Sequence, residues 1–418
     1  MTDFSPPRGT QDLLPPTSDA IEVLAERATA LARLHGFGRV ETPSFEDTQL
    51  FARGVGEGTD IVTKEMYTFD DKGGRSLTLR PEGTAPVMRA YLAHRQELGA
   101  PFKGYYVASM FRHERPQAGR MRQHTQFGVE IIGTAAPAAD MEVIAIGHEY
   151  LTGLGLTRFA LHLNSIGDER CRPAYRTVLI DFLKERFDQL CTDSRQRMLQ
   201  NPLRVLDCKV ESCRAATEDA PRITDYLDDA CREHFEAVQA GLKEEGIEFS
   251  LDHRLVRGLD YYTRTAFEFV SEVLGPTQST LCGGGRYDGL AEVLGGAATP
   301  GIGFGLGLER ALIAMEKEGV EAPSPGGLAV FVVALGDAAA VEGRALVREL
   351  RGRGVAADVA LEERPLKAQL KMADRSGARF AAILGEQELA DGVVTMRRLS
   401  DGEQETVQRA EVAAWLSR

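Results

Sequence analysis

The sequence predicts two domains of different fold: an α+β domain, built as an antiparallel sheet with flanking helices, and a small α/β domain after it. A chain of 418 residues is too long for one ordinary hydrophobic core. Short alternating apolar segments occur before residue 321, whereas strands alternate with helices after residue 328. Residues 321–327 (EAPSPGG) have the composition of a linker. We therefore expect domains over 1–322 and 328–418, joined by 323–327.

The first domain is predicted from its apolar periodicity. Residues 19–34 have a helical pattern, while residues 104–111, 125–132 and 265–269 favour strands. Residues 168–250 are polar and strongly helical. They predict a helical insertion into the antiparallel sheet.

The second domain shows alternating strand and helix patterns. The predicted order is strand 329–335, helix 341–353, strand 355–361, helix 366–376 and strand 380–384. This alternation is typical of a small, largely parallel α/β domain.

Composition and charge narrow the class of protein. No apolar run approaches the roughly 20 residues of a membrane span, and the start MTDFSPPRGT lacks a basic stretch followed by an apolar one. We therefore expect a cytoplasmic protein with no membrane partner. The net charge of −13 argues against a general nucleic-acid coat, although residues 344–379 carry nine Lys/Arg against five Asp/Glu.

A basic stripe lies within this positive segment. Lys367, Lys371 and Arg375 recur every four residues, so they would share one face of a helix. The pattern alone fits a solvated surface stripe and a phosphate-facing stripe equally well.

The six cysteines, at positions 171, 191, 208, 213, 231 and 282, are scattered. Only Cys208 and Cys213 are close, and their four-residue gap allows a zinc site as an interpretation. No paired C-x-x-C motif or histidine tract accompanies them. The sequence therefore favours reduced, unpaired thiols and predicts no metal held by protein ligands alone.

Residues 255–269 (LVRGLDYYTRTAFEF) are the most informative stretch. Thr265, Phe267 and Phe269 alternate as in a half-buried strand, and Arg257, Asp260, Tyr261 and Tyr262 crowd its entrance. Such a density of donors and acceptors suits a small, polar, planar ligand better than it suits a core.

A second constellation, residues 105–133, predicts a strand, a basic loop and a returning strand. Arg112, Arg115, Arg120 and Arg122 lie near the hairpin tip, and guanidinium groups match the oxygens of a polyphosphate. A basic tip exposed to solvent is the alternative. On the returning strand, Gln126, Gly128 and Glu130 should face one way and Phe127, Val129 and Ile131 the other.

Three further segments have weaker signals. In residues 76–92 a strand, a turn with Glu82 and a helix near Thr84 fit either an ammonium site or a plain turn with Thr84 as N-cap. The glycine run in 279–290 would usually be a turn, or it would let the backbone approach a ligand. Alternating glycines in 301–307 favour a strand beneath a flat group such as adenine, followed by a helix opened by Glu309 and Arg310.

Together these segments resemble the histidyl-tRNA synthetase family of the class II aminoacyl-tRNA synthetases, over nearly the whole chain. PPRGTQDLLP resembles the N-terminal signature, FGRVETPSFED motif 1, FRHERPQAGRMRQ motif 2 and GLGLERAL motif 3. LVRGLDYY and CGGGRYDG resemble the two histidine-specific signatures. The order of the motifs is highly specific, and motif 1 implies a homodimer.

The resemblance implies a role for each matching residue. Arg257 and Arg112 would act in catalysis by binding the α-phosphate, and Arg310 would bind the γ-phosphate. Histidine would be bound by Glu82, Gly83, Thr84, Gln126, Glu130, Tyr261, Tyr262 and Tyr287. ATP would be bound by Arg112, Glu114, Arg120, His124 and Arg310, with Mg²⁺ accompanying it. The tRNA(His) would be bound by Gln117, Arg122, Lys367, Lys371 and Arg375.

One position departs from the family pattern. His124 stands where the family has a phenylalanine proposed to stack on adenine. A non-catalytic regulatory paralogue and a sister synthetase for glycine, proline or threonine are the alternatives. The C-terminal domain and the arginines 112, 257 and 310 favour the enzyme over the paralogue, and the stretch from Arg257 to Tyr262 argues against the sister enzymes.

Overall fold

A computed structural model describes residues 4–56, 58–114, 120–275 and 278–416. Within these ranges the chain separates into two compact units, with the boundary between Pro323 and Ser324. No helix among the described residues is long and apolar enough to cross a membrane.

The first unit contains eleven strands and eleven α-helices among its described residues. The strands are β1 (Gly38–Arg39), β2 (Phe45–Asp47), β3 (Tyr67–Asp70), β4 (Ser76–Leu79), β5 (Phe102–Phe111), β6 (Gln123–Ile132), β7 (Phe159–Ser165), β8 (Ser250–Leu251), β9 (Thr263–Ser271), β10 (Thr280–Arg286) and β11 (Gly301–Gly307). The helices are α1 (Thr17–Leu34), α2 (Thr48–Val55), α3 (Thr84–Leu98), α4 (Pro137–Gly153), α5 (Arg172–Glu185), α6 (Thr192–Gln200), α7 (Leu203–Leu206), α8 (Glu211–Ala216), α9 (Asp229–Glu244), α10 (Leu290–Val293) and α11 (Leu308–Glu318).

The main sheet of this unit has eight strands in the order β1-β5-β6-β11-β10-β9-β7-β8. Its six central strands are antiparallel, and only the short edge strands β1 and β8 pair in parallel with their neighbours. The predicted antiparallel sheet is confirmed. A small sheet, β2-β4-β3, stands apart from it.

The two faces of the main sheet differ in polarity. Phe127, Val129 and Ile131 of β6 point into a hydrophobic core shared with α1, α4 and α11. The helix α1 forms because Ile21, Leu24, Ala28 and Ala32 make one apolar stripe that the sheet buries. The opposite face carries the buried polar side chains Gln126 and Glu130 beside a second hydrophobic cluster, so it is the face that can bind a polar ligand.

Five helices, α5 to α9, follow one another between β7 and β8. Two of them are very short, α7 with four residues and α8 with six. The buried apolar residues of α5 to α8 pack with Tyr261, Tyr262 and Tyr287 in one hydrophobic cluster, whereas Phe235, Val238 and Leu242 of α9 join the core of the main sheet. The helical segment therefore supports the histidine-specific signature directly.

The second unit has β12 (Val330–Ala334), α12 (Asp337–Gly352), β13 (Ala357–Val359), α13 (Leu366–Arg375), β14 (Phe380–Leu384), α14 (Glu386–Asp391), β15 (Val393–Arg398), β16 (Gln404–Gln408) and α15 (Val412–Leu416). Its sheet order is β13-β12-β14-β15-β16. The first three strands are parallel as predicted, but β15 and β16 add an antiparallel edge. The sequence pattern after residue 384 did not reveal these two strands.

Candidate active site

A cleft opens on the polar face of the main sheet. It holds about 920 Å³, counting its open mouth. Of the predicted histidine-binding residues, Glu82, Thr84, Gln126, Tyr261 and Tyr262 line it, and all the predicted catalytic and ATP-binding residues line it too. Gly83, Glu130 and Tyr287 are not among the described residues that line the open cleft.

Glu130 lies on β6 and is fully buried. The Thr84 hydroxyl donates to its Oε1 at 2.7 Å, and the Tyr287 hydroxyl donates to its Oε2 at 2.5 Å. Burial raises the pKa of Glu130 to about 8, although both hydrogen bonds oppose the shift. Once ionised, a carboxylate has about four lone-pair sites, so the two donors leave room for an N–H of a ligand.

The alternating glycines of β11 make room for side chains of β6. Gly303 pairs with Glu130, and a Cβ at Gly303 would overlap the Glu130 carboxylate. A Cβ at Gly305 would overlap the Gln126 amide in the same way. The expectation that a flat group such as adenine explains these glycines is thus incomplete, because neighbouring protein side chains already require two of them.

Glu82 lies immediately before α3 and is also buried. Its carboxylate accepts the backbone N–H groups of Thr84 at 2.7 Å and Ala85 at 3.0 Å, and burial raises its pKa against these bonds. The N-cap is Gly83, not Thr84, whose hydroxyl is turned to Glu130. The alternative of a plain turn with Thr84 as N-cap is therefore wrong.

Arg257 reaches the cleft from the loop before β9. Its guanidinium forms an ion pair with Glu268 and lies 5.7 Å from the centre of the Tyr262 ring. A Cβ at Gly283 would collide with this guanidinium. The glycine run is therefore part of strand β10, not a turn, and its first glycine lets Arg257 lie flat on the sheet.

The two tyrosines stand beside Arg257. Their ring centres are 4.7 Å apart, and the Tyr261 hydroxyl donates to Glu82 at 3.4 Å. Both precede β9, which begins at Thr263 and passes through a bulge where Arg264 has a φ of 50°. A bulge redirects the side chains at a strand entrance, and this one lies directly after the two tyrosines.

The cleft is also rich in arginine. The Arg112 Nε donates to the Pro81 carbonyl at 2.8 Å, and Arg310 donates to the Thr280 carbonyl at 2.5 Å. Arg120 pairs with Glu114 at 2.5 Å. These contacts fix three guanidinium groups on one opening, an arrangement that suits polyphosphate oxygens.

His124 lies between these arginines. Burial, together with the charges of Arg112 and Arg310, lowers its pKa to about 3. The imidazole is therefore neutral at physiological pH. A neutral aromatic ring retains the ability to stack on a base.

Three residues of the cleft region were missed by the sequence analysis. Glu268 pairs with Arg257, Tyr106 accepts a hydrogen bond from Gln126 at 2.9 Å, and Glu309 accepts the Thr125 N–H at 2.8 Å. The family motif contains Glu309, but its local pattern did not separate it from an ordinary residue of the first helical turn. The contacts of Glu268 and Tyr106 can be predicted only when the register of the strands is known.

The residues predicted to contact tRNA lie in different places. Gln117, like Arg115 of the basic hairpin tip, falls outside the described residues. Arg122 donates to the backbone carbonyls of Glu114 and Arg8. Lys367, Lys371 and Arg375 are exposed along α13, whose buried side is formed by Gln369 and Ala373.

The antiparallel sheet, the arginine-lined cleft and the separate α/β unit define an aminoacyl-tRNA synthetase of class II. The family model for histidyl-tRNA synthetase matches residues 9–311, and that for an anticodon binding domain matches residues 329–418. The chain belongs to the histidyl-tRNA synthetase family.

Individual relatives agree over the full length. The histidine–tRNA ligase of Moorella thermoacetica is 52% identical over 409 residues, covering 98% of this chain and 96% of the relative. That of Caldanaerobacter subterraneus is 48% identical over 407 residues, covering 97% of each. The crystal structure of apo histidyl-tRNA synthetase from S. aureus superposes with a TM-score of 0.83 at 38% identity, covering 100% of both chains.

Proposed function

We propose that this chain activates L-histidine with ATP to give histidyl-adenylate and pyrophosphate, and then transfers the histidyl group to the 3′ end of tRNA(His), releasing AMP. The observation that carries the proposal is one cleft lined both by the buried polar groups Glu82, Tyr261 and Tyr262 and by the arginines 112 and 310. Histidine would be held by the first group and the phosphates of ATP by the arginines.

The first step needs positioning more than acid–base chemistry. The attacking histidine carboxylate is already ionised at neutral pH, so the site has to stabilise charge at the α-phosphorus and align the reactants. Arg257 and Arg112 would bind the α-phosphate from two sides, and Arg310 would bind the γ-phosphate. This role for Arg257 is supported by its ion pair with Glu268 and its close approach to Gly283, which hold the guanidinium against the sheet.

Histidine recognition would come from buried polar groups. Glu82 and Thr84 would hold the α-ammonium with Gln126 nearby, while Glu130 and Tyr262 would bind the imidazole nitrogens. Gly83 and Tyr287 would complete the pocket. An amino acid without a ring N–H would leave Glu130 without that partner, and such sites discriminate by about 10⁴–10⁵.

Magnesium would accompany the nucleotide. Glu114 and Glu309 supply carboxylate oxygens in the arginine-lined cleft, and Mg²⁺ favours oxygen ligands of this kind. The ion would neutralise part of the phosphate charge. Family resemblance further supports a homodimer formed through motif 1, acting in the cytoplasm where tRNA is charged.

ATP–pyrophosphate exchange is expected to require histidine and to remain at background with glycine, proline or threonine. The reason is that only an imidazole satisfies Glu130 and Tyr262 together. The measurement is incorporation of labelled pyrophosphate into ATP with each amino acid in turn. Equal exchange with proline or glycine would exclude the proposed specificity, and a lack of exchange with every amino acid would favour the regulatory paralogue.

Charge reversal on α13 is expected to weaken tRNA(His) binding. Lys367→Glu combined with Lys371→Glu removes two exposed cations from one face of this helix, so the slope of binding against salt should become shallower by about one per lost phosphate contact. Filter binding over a salt series measures both effects.

The matched control is the pair Arg344→Glu and Arg348→Glu. These arginines are exposed on α12 of the same unit with the same spacing. If α13 contacts the tRNA specifically, the control pair should keep the wild-type salt slope. Equal losses of tRNA affinity in both double variants would show that α13 contributes only through the general charge of the unit.

A further inference from the structure

Three cysteines that are separated in sequence meet in the helical segment between β7 and β8. Cys191 directly precedes α6, Cys208 follows α7, and Cys213 lies within α8. Their sulfur atoms all lie within 4.8 Å of one another. None of the six cysteines forms a disulfide, so all three thiols are available as ligands.

The spacing of these atoms fits a tetrahedral thiolate site. Zinc–sulfur bonds of about 2.3 Å put the sulfur atoms of a tetrahedron about 3.8 Å apart, and the Cys191 and Cys208 Sγ atoms are 3.8 Å apart. The buried Ser194 hydroxyl lies 3.3 Å from Cys191 Sγ and 3.6 Å from Cys213 Sγ. An oxygen at the fourth corner would lie at about this distance from the sulfurs.

Backbone donors point at each of the three sulfurs. The Cys191 N–H donates to Cys213 Sγ at 3.1 Å. The N–H groups of Ser194 and Val210 donate to Cys191 and Cys208 respectively. Hydrogen bonds of this kind stabilise thiolates over thiols, and thiolates are the form that binds metal. A cluster of ordinary reduced thiols does not require one backbone donor for each sulfur.

We propose that Cys191, Cys208 and Cys213 bind one Zn²⁺ ion as thiolates, with the Ser194 hydroxyl or a water molecule as the fourth ligand. Binding releases the thiol protons to solvent and involves no redox change. The site is separate from the cleft and from Mg²⁺, and it does not depend on the proposed reaction.

A second cluster, formed by Asp168, Cys171, Asp228 and Cys231, fits a metal less well. Arg170 pairs with both carboxylates, and the Asp228 carboxylate also accepts the Cys231 N–H at the start of α9. These carboxylates are therefore already engaged. Cys231 becomes the natural control cysteine.

The metal would hold together helices that are too short to be stable alone. Helices of four and six residues bury little and do not persist without tertiary contacts. The same segment supports the cleft, since the Asn201 amide donates to Asp260 at 2.9 Å and Arg204 donates to the Arg257 carbonyl at 3.2 Å. The ion would thus anchor the loop that carries Arg257, Tyr261 and Tyr262.

The test is metal binding by the full-length chain. The reduced protein is loaded with Zn²⁺ or Co²⁺, desalted and assayed by elemental analysis and absorption. We expect one ion per chain, and for cobalt the thiolate charge-transfer band and the strong visible bands of tetrahedral geometry. Cys191→Ser, Cys208→Ser and Cys213→Ser should each lose most of the bound metal, whereas Cys231→Ser should keep it.

The variant Cys208→His tests whether loss of metal in the serine variants comes from loss of a ligand or from misfolding. It replaces one thiolate by another zinc ligand, so it should retain metal while weakening the charge-transfer band. The proposal is overturned if the wild-type chain binds no metal with all its thiols reduced. It is also overturned if Cys231→Ser loses the metal while Cys191→Ser retains it, or if Cys208→His leaves the cobalt spectrum unchanged.

Discussion

Arg257→Ala is expected to lower histidine-dependent ATP–pyrophosphate exchange by about 10²–10³-fold while changing the dissociation constant for histidine far less. Removing one fixed donor to developing charge typically costs this much. Arg257 is a fixed donor because Glu268, the Tyr262 ring and the Gly283 backbone surround its guanidinium. The measurements are exchange kinetics and calorimetric titration with histidine in the absence of ATP.

Two further variants separate chemistry from packing. Arg257→Lys keeps the charge but loses the planar fork, so it should recover only part of the rate. Arg33→Ala removes an exposed arginine from the end of α1 and should leave exchange unchanged. An Arg257→Ala protein with normal exchange would remove this residue from catalysis. A parallel loss of histidine affinity would assign it to holding Tyr262 in place.

The sequence predicted the elements of the cleft better than their contacts. Alternation along β6 correctly placed Gln126 and Glu130 opposite the core residues Phe127, Val129 and Ile131. It could not reveal that Gly303 and Gly305 face those two polar side chains, because strand pairing between distant segments has no local signal. For the same reason the sequence did not predict the ion pair between Glu268 and Arg257, which depends on the pairing of β9 with β10.

The cysteine cluster was also not predicted, because its members are separated along the chain. Cys208 and Cys213 are neighbours in sequence, but Cys191 precedes Cys208 by seventeen residues and joins them only through the turn between α6 and α7. Short helices with weak periodicity give no prediction of how they pack. The strongly periodic elements, such as α1 and the three parallel strands of the second unit, were predicted within a few residues of their observed ends.

Glu130→Gln is expected to weaken histidine binding by about 10- to 100-fold. Glutamine has nearly the same size but cannot ionise, whereas Glu130 can release its proton when the imidazole N–H binds and then accept a hydrogen bond as a charged group. Hydrogen bonds to charged groups contribute roughly 1.5–3 kcal/mol. Calorimetric titration with histidine measures the effect. Unchanged affinity would show that Glu130 only orients Thr84 and Tyr287.

The same variant has a pH signature in stability. In the unfolded wild-type chain the Glu130 carboxyl ionises near its ordinary pKa of 4.5, whereas in the folded chain it holds its proton until about pH 8. The wild type therefore loses stability from this group as pH rises through that window, and glutamine has no proton to release. The free energy of unfolding of Glu130→Gln should rise relative to wild type between pH 4.5 and pH 8 and level off above it.

Denaturant titrations of the wild type and Glu130→Gln across this pH range measure the difference. Glu248→Gln, which changes an exposed glutamate of the same unit, is the control and should show no such rise. If the wild-type and Glu130→Gln profiles ran parallel over the whole range, burial would not hold the proton on Glu130. In that case Glu130 would already be ionised in the empty cleft, and histidine binding would take up no additional charge there.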